Sequence, residues 1–326
     1  MKHSLKAALG AMALALAVGS PSAHAKTTLR VAHALSPNEP IHHAVEKFAE
    51  AVTKRTKGEV RISIFPSEQL GPNREVYEQV RQGAPIIQVA DPAFMADYVP
   101  DLGVMNGPYL LDEPLQFQKL LDSDWYAEMQ TPLQKAGFRV LSFNYFFGIR
   151  NVIADKPVRS PADFNGMTIR IAPNPMWVET FKALGARGTP MPWTEVYSAL
   201  AQGVVDAVEA PLGSLVGSKL QEQRKTMSLT GHFTAYLGLV MNEKQFQALS
   251  PEHQQILIEE SQKAGEEMTR VTLENDKKLQ KDLEAQGINI VRDIDIQAMR
   301  DATAPVYSAF PDWTPGLYQR IRAILD

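Results

Sequence analysis

The chain has no cysteine among its 326 residues. Disulfides and thiolate chemistry are therefore excluded, and stability must come from packed core. The common enzyme signatures are missing too. There is no phosphate-binding loop, no dinucleotide glycine pattern and no HExxH. Gly213-Ser214-Leu215-Val216-Gly217 carries its serine in the wrong place for a nucleophile elbow. Histidine is scarce, at 7 residues. His42 and His43 are adjacent on one helix and cannot face a single metal together, while His33 and His232 stand alone, and zinc needs three or four clustered ligands. Neither catalysis nor a metal or other cofactor is anticipated. A formal net charge of −4 with no basic cluster argues against nucleic acid as a partner.

Long apolar runs are also lacking, with one exception at the start. Met1–Ala25 has a basic beginning (Lys2, Lys6), an apolar run from Ala7 to Val18 and a small-x-small site at Ala23-His24-Ala25. That is the pattern of a cleaved secretory signal peptide. Its apolar run is too short to span a bilayer and has no later partner, so the mature chain is expected to be soluble, periplasmic and not membrane-spanning. Cleavage removes two lysines and no acid, which moves the charge from −4 to −6. About 300 residues remain, enough for two domains with their own cores.

What is present is organised around Gly148–Asn174, GIRNVIADKPVRSPADFNGMTIRIAPN. Phe138–Tyr145 reads as a strand by its β-branched and aromatic content, running out at Gly148 just before Arg150. Ser160-Pro161 is a helix start and Asn165-Gly166 a turn. Met167–Ile171 is a second strand, ended by Pro173 and Pro175, with Arg170 near its carboxyl end. In open α/β sheets ligands bind beyond the carboxyl ends of strands. Two guanidiniums there point to an anion, since their planar forks match a carboxylate in bidentate fashion. The competing reading is a surface or structural ion pair for either arginine.

The remaining chain alternates. Strands at Thr28–Ala34, Val60–Phe65 and Ile86–Ala90 are interleaved with helices after Pro37-Asn38-Glu39-Pro40 and over Arg74–Arg81, the pattern of a parallel or mixed sheet covered by helices. Asp91 closes the third strand, either as a site residue or as an ordinary turn aspartate before Pro92. Pro114–Ala136 reads as helical. Thr194 is placed as the cap of a helix ending at Gly203, followed by a strand Val204–Val208 with Glu209 at its exit. Glu209 would orient the arginines, or else pair with Arg224 or Lys225. Acids beside arginines also accept hydrogen bonds from ligand hydroxyls, which favours a hydroxy or sugar acid over a fatty acid. Tyr145, Phe146, Phe147, Trp177 and Trp193 crowd the same regions, and one or two of them should wall the cleft. His33 and Asn174 complete the candidate set. A strand Tyr236–Asn242 precedes a helix from Ser250-Pro251 to about Gln286, roughly 50 Å long at 1.5 Å per residue, whose apolar positions drift too much for a coiled coil. Ile288–Val291 and a final helix Thr314–Leu325 should return to the second domain.

DFNGMTIRIAPN, KALGARGTPMPWTEVYSALAQGVVDAVEAPL (Lys182–Leu212), FPSEQLGPNREVYEQVRQG (Phe65–Gly83) and KTMSLTGHF (Lys225–Phe233) occur at the order and spacing seen in one family. The chain resembles, over nearly its whole mature length, the substrate-binding proteins of the tripartite ATP-independent periplasmic (TRAP) transporters. The resemblance implies a two-lobe α/β periplasmic-binding-protein fold, mixed sheets flanked by helices, and a long C-terminal helix crossing both lobes. It implies lobes of residues 26–147 plus 236–275 and 148–235 plus 276–326, with crossings near Phe147, near Tyr236 and within that helix. By the same resemblance Arg170 is the carboxylate clamp, Arg150 the second basic residue, Asp91 an acidic ligand contact and Trp193 a ring against the ligand. Where the family commonly follows the glutamate with an asparagine that helps hold the carboxylate, this chain has Ala210, which implies either a departure from the family's usual acidic sugar and dicarboxylate substrates or a shift of that contact to a group such as Asn174 or Asn144. The function implied is capture of a small organic carboxylate by a monomeric receptor that delivers it to membrane transporter subunits. A receptor feeding a sensor and a periplasmic organic-acid enzyme are the alternatives.

Overall fold

The computed structural model describes residues 26–326, so the expected signal peptide lies outside the described residues. The strands are β1 (Thr27–Ala32), β2 (Val60–Phe65), β3 (Ile86–Ala90), β4 (Phe138–Ala154), β5 (Thr168–Ile171), β6 (Arg187–Pro190), β7 (Ala207–Pro211), β8 (Thr226–Asn242) and β9 (Asn289–Val291). The helices before β4 are α1 (Pro40–Arg55), α2 (Asn73–Arg81), α3 (Pro92–Met95), α4 (Phe117–Leu121) and α5 (Asp124–Lys135). Those between β5 and β8 are α6 (Pro175–Ala183), α7 (Val196–Ala201) and α8 (Leu212–Gly217). The rest are α9 (Glu243–Gln247), α10 (Pro251–Ala285), α11 (Ile296–Thr303) and α12 (Leu317–Leu325).

All nine strands join one sheet in the order β2-β1-β3-β8-β4-β7-β5-β6, with β9 beside β8. The outer trios β2-β1-β3 and β7-β5-β6 are parallel and lie on opposite sides of the sheet. Antiparallel β8 and β4 join them. Both are 17 residues long, roughly 55 Å at 3.3 Å per residue, and so run through both lobes. Their pairing shifts register four times, and each bulge adds bend and twist where the lobes meet. Gly148 lies at one such shift with φ +128°, and a Cβ there would sit 2.9 Å from Pro211 Cβ. Glycine is required at that crossing.

This corrects the expectation that the strand ends at Gly148. The glycine makes a bulge rather than a stop, so Arg150 lies inside β4. Glu209 likewise lies inside β7, which begins at Ala207 rather than at Val204 and pairs with β4. Pro114–Ala136 is broken into a 3-10 turn, α4 and α5, and Trp193–Glu195 forms a 3-10 turn before α7, so Thr194 is not that helix's cap.

Helix α10 follows its expected span closely. Ser250 caps it by accepting from His253 N–H. It packs on α1 and β4 and extends to α8 and β9, crossing both lobes. Its polar residues seize the bulged part of β4. Ser261 Oγ is 2.6 Å from Ser142 Oγ, and Thr269 Oγ1 donates to Asn144 O (2.8 Å) while accepting from Phe146 N–H (3.0 Å). The C-terminal elements touch both sides of the molecule. Helix α11 rests on α6 and the 3-10 turn Pro161–Phe164, whereas α12 rests on α4 and the turn Pro100–Asn106.

Candidate functional site

Between the lobes is a cavity of about 300 Å³, at the lower end of the range that holds small ligands. On the β2-β1-β3 side of the sheet it is lined by His33, Glu68, Asn73 and Asp91, and on the other side by Arg150, Arg170, Trp177, Trp193, Ala210 and Ser214. Phe94, Phe147, Val89 and Leu237 supply apolar wall.

The two arginines differ in how their charge is met. In the β4–β7 register Arg150 faces Pro211 and Val152 faces Glu209. Arg150 and Glu209 are thus diagonal neighbours on one face of the sheet, within side-chain reach. Arg150 donates from Nε to Glu209 Oε2 (2.6 Å) and from Nη2 to Oε1 (2.7 Å), a bidentate pair. Trp177 Nε1 donates to the same Oε1 (2.9 Å), and His232 Nε2 lies 3.1 Å from Oε2. Thr230 Oγ1 is 2.8 Å from His232 Nδ1 and completes the chain. Burial by itself would raise the Glu209 carboxyl. The charge of Arg150 and the hydrogen bonds from His232 and Arg150 outweigh it and hold the group at about 2. Burial pushes His232 below its ordinary value despite Glu209.

Arg170 has no such partner. Its Nε and Nη2 donate to Met191 O at 3.2 and 2.8 Å, and Nη1 has no hydrogen-bond acceptor among the described residues. No carboxylate of the described residues lies within 4.0 Å of it. Arg170 as a residue is buried at 3% exposure, and its guanidinium stacks 5.0 Å from the centre of the Trp193 ring. Burial lowers its pKa to about 10, only partly opposed by Glu209. A buried cation answered by one carbonyl and one ring is electrostatically incomplete, and an anion in the cavity completes it. Arg150 Nη1 also has no acceptor among the described residues, so both arginines can offer an N–H to the same anion.

Asp91 ends β3 and caps α3, its Oδ1 accepting from Ala93 N–H (2.9 Å). Burial raises it to about 6 against the pull of that N–H and of Arg150. His33 lines the cavity, with Nε2 3.1 Å from His42 Nδ1 and a buried Nδ1 that has no partner among the described residues. Burial, then the neighbouring His42, lower it to about 4, so it is neutral near pH 7.

Two expected residues turn elsewhere. Tyr145 is fully buried with its hydroxyl 3.4 Å from Ser261 Oγ, on the α10 side of the strand, and it is Phe147, two residues on, that reaches the cavity. Asn174 caps α6, accepting from Met176 N–H (2.9 Å) and donating to Ala93 O (2.8 Å), which leaves it spent on structure. Asn144, the other amide expected to stand in for an asparagine at Ala210, donates to Gln262 O on α10 (2.8 Å). Neither asparagine lines the cavity. Glu209 does not pair with Arg224 or Lys225; Arg224 instead holds Asp155 and several carbonyls. Sequence reasoning missed His232, Glu68 and Ser214. His232 lies where β8 takes five steps, Ser228 to Phe233, against two steps of β4 from Arg150 to Val152, and no composition signal marks such a bulge. Among the described residues no cluster of three or more His, Asp or Glu is placed to hold a metal, and no helix is long and apolar enough to cross a membrane.

Comparison with known proteins gives one consistent picture. Residues 31–312 match the family model for bacterial extracellular solute-binding protein, family 7. The 2,3-diketo-L-gulonate-binding periplasmic protein YiaO of Escherichia coli is 32% identical over 88% of this chain and 88% of its own. A TRAP periplasmic solute-binding protein of Ochrobacterium anthropi, solved with bound L-fuconate, is 37% identical with a TM-score of 0.89, covering 93% of this chain and 100% of its own. Another from Desulfovibrio salexigens, in complex with diglycerolphosphate, is 34% identical with a TM-score of 0.90, covering 92% and 97%.

Proposed function

The chain belongs to the bacterial extracellular solute-binding proteins of family 7, the solute receptors of TRAP transporters and not enzymes, and from that premise we propose that its interlobe cavity captures a small sugar or hydroxy acid. Arg170 takes the carboxylate, with Arg150 giving a second N–H. Glu209, Trp177 and His232 hold Arg150 in place. Asp91, His33 and Glu68 on the first lobe meet the ligand hydroxyls, and Trp193 and Phe147 wall the chain of carbons. Neither Tyr145 nor Asn174 touches the ligand in this scheme. The observation that carries it is the buried Arg170 guanidinium with no carboxylate to answer it, beside a cavity that also receives Arg150.

The lobes are residues 26–147 plus 236–275 and 148–235 plus most of 276–326; the final helix α12, expected in the second lobe, packs instead on α4 and Pro100–Asn106 of the first. The C-terminal tail, with α11 on one side and α12 on the other, ties them together. Ligand binding favours the closed arrangement because only there do residues of both lobes touch the ligand. The closed receptor, a monomer in the periplasm, presents the acid to the membrane subunits of its transporter.

A phosphate ester is the second reading, favoured by the diglycerolphosphate complex of the Desulfovibrio relative. Isothermal titration against L-fuconate, L-galactonate, 2,3-diketo-L-gulonate, a C4-dicarboxylate and glycerol phosphate separates the two. Loss of a buried charge partner costs about 3–5 kcal/mol. Arg170→Ala is thus expected to weaken the best acid on the order of 100- to 1,000-fold, and unchanged affinity would remove Arg170 from the site.

A further inference from the structure

Glu39 is an acid of the first lobe that is buried against the second. It precedes α1, has no exposed surface, and sits against α8. Its Oε1 accepts from Ser36 N–H (3.0 Å), which fixes the loop, and from Ser218 Oγ (3.2 Å). Ser218 Oγ in turn accepts from Trp193 Nε1 (3.1 Å). The Trp193 ring lies over the guanidinium of Arg170. A chain of contacts thus runs from one lobe, across the cleft, to the group proposed to grip the ligand.

The surrounding surfaces are shaped for this insertion. A Cβ on Gly217 would fall 2.6 Å from Glu39 Cγ, so no larger residue fits there without displacing the glutamate. Gly213 lies close to Pro40, where a Cβ would just reach the proline ring at 3.4 Å. Ser36 Oγ donates to Gly217 O (3.3 Å). Glu68 adds a parallel tie at the cavity rim by accepting from Thr194 Oγ1, the residue after Trp193. Adhesion between lobes does not account for Glu39, because its second oxygen, Oε2, is buried with at most Ser214 to meet it, and burial pushes the carboxyl up to about 7 against its hydrogen bonds. Such a group costs stability.

We propose that Glu39 is a positioning residue for ligand capture. Through Ser218 it sets the Trp193 ring over Arg170 only when the lobes are together, so the guanidinium is aimed at the ligand by the act of closing. This rests on the reading of the cavity as an acid-binding site. In the open form Ser218 still accepts from Trp193, both being in the second lobe, but it loses Glu39 as the acceptor that fixes its own hydroxyl, so the Trp193 ring and the Arg170 fork against it are held less firmly. Binding energy and lobe closure are coupled through one side chain that never touches the ligand.

The test is a double-mutant cycle between Glu39→Ala and Trp193→Phe, which keeps a ring but removes the N–H, read by isothermal titration with L-fuconate and L-galactonate. Each single variant is expected to bind 10- to 100-fold more weakly. The double variant should be no worse than the weaker single, because both break one chain. Multiplying effects, or unchanged affinity in Glu39→Ala, would overturn the proposal. Spin labels on Lys54 and Glu179, one site in each lobe, give a second readout without ligand, in which Glu39→Ala must lower the closed fraction. Binding of neither acid to the unaltered protein would count against the ligand class alone. The coupling then stands or falls on those lobe distances, and a closed fraction unmoved by Glu39→Ala sinks it.

Discussion

Arg150 and Arg170 are both buried, both in the central sheet and both on one cavity, yet their surroundings are opposite. Around Arg150 the charge is met, though Nη1 is left free among the described residues: a bidentate carboxylate answers it, and behind that carboxylate stand an indole N–H and an imidazole. Around Arg170 there is one carbonyl and one ring. The first is a framework cation whose charge is cancelled inside the protein. The second is left in deficit, and a ligand supplies what the fold withholds. Position at a strand cannot distinguish the two, because the distinction lies in what stands behind the guanidinium.

Removing Glu209 should turn the Arg150 neighbourhood into a second deficit. Breaking a buried pair from one side costs about 3–5 kcal/mol, so Glu209→Ala should lower the urea midpoint strongly in the absence of ligand. Arg170→Met removes an unanswered charge and should leave that midpoint unchanged or raise it. Equal losses in the two variants would erase the contrast. The pH dependence follows the same line. Glu209 sits at about 2 in the folded protein, below its ordinary value of 4.5. Its contribution is therefore complete above about pH 4.5 and lost as pH falls towards 2. Denaturant midpoints measured across that window should fall, and Glu209→Gln should flatten the slope.

A smaller effect is expected from Arg170→Lys, which keeps the charge and loses the fork. Affinity for the acid should drop about tenfold or more, one factor of ten being about 1.4 kcal/mol, and a lysine that binds as well would mean that charge alone matters. Least of all, Ala210→Asn restores an amide to the cavity wall. It should tighten the acid by at most about tenfold, the net worth of one ordinary hydrogen bond of about 0.5–1.5 kcal/mol; weaker binding would show that the wall at Ala210 is already filled by ligand carbon.

Much of the frame was legible in residue order. Alternating strands and helices, the cap at Ser250, and the uninterrupted pattern to Ala285 identified the layered sheet and the crossing helix. Arg170 near the end of β5 was legible from the prolines that follow it. The place of Arg150 was not, because a glycine can end a strand or bulge it, and only pairing with β8 and Pro211 decides between these. Asn174 and Tyr145 read as cleft residues from proximity in sequence, yet one is consumed as a helix cap and the other faces α10. His232 and Glu39 were invisible as functional groups. Their partners, Glu209 and Ser218, lie 23 and 179 residues away, and such contacts leave no local pattern.

The central claim is that Arg170 is an unanswered buried cation completed by a ligand carboxylate. It is tested most directly by titrating the protein with an aldonic acid it binds and with the carboxamide of the same skeleton, alongside Arg170→Ala. The account predicts that the carboxamide binds at least about 100-fold more weakly than the acid, a difference of about 2.7 kcal/mol, and that Arg170→Ala no longer tells them apart. Acid and carboxamide binding alike to the unaltered protein, or an undiminished preference in Arg170→Ala, would contradict it.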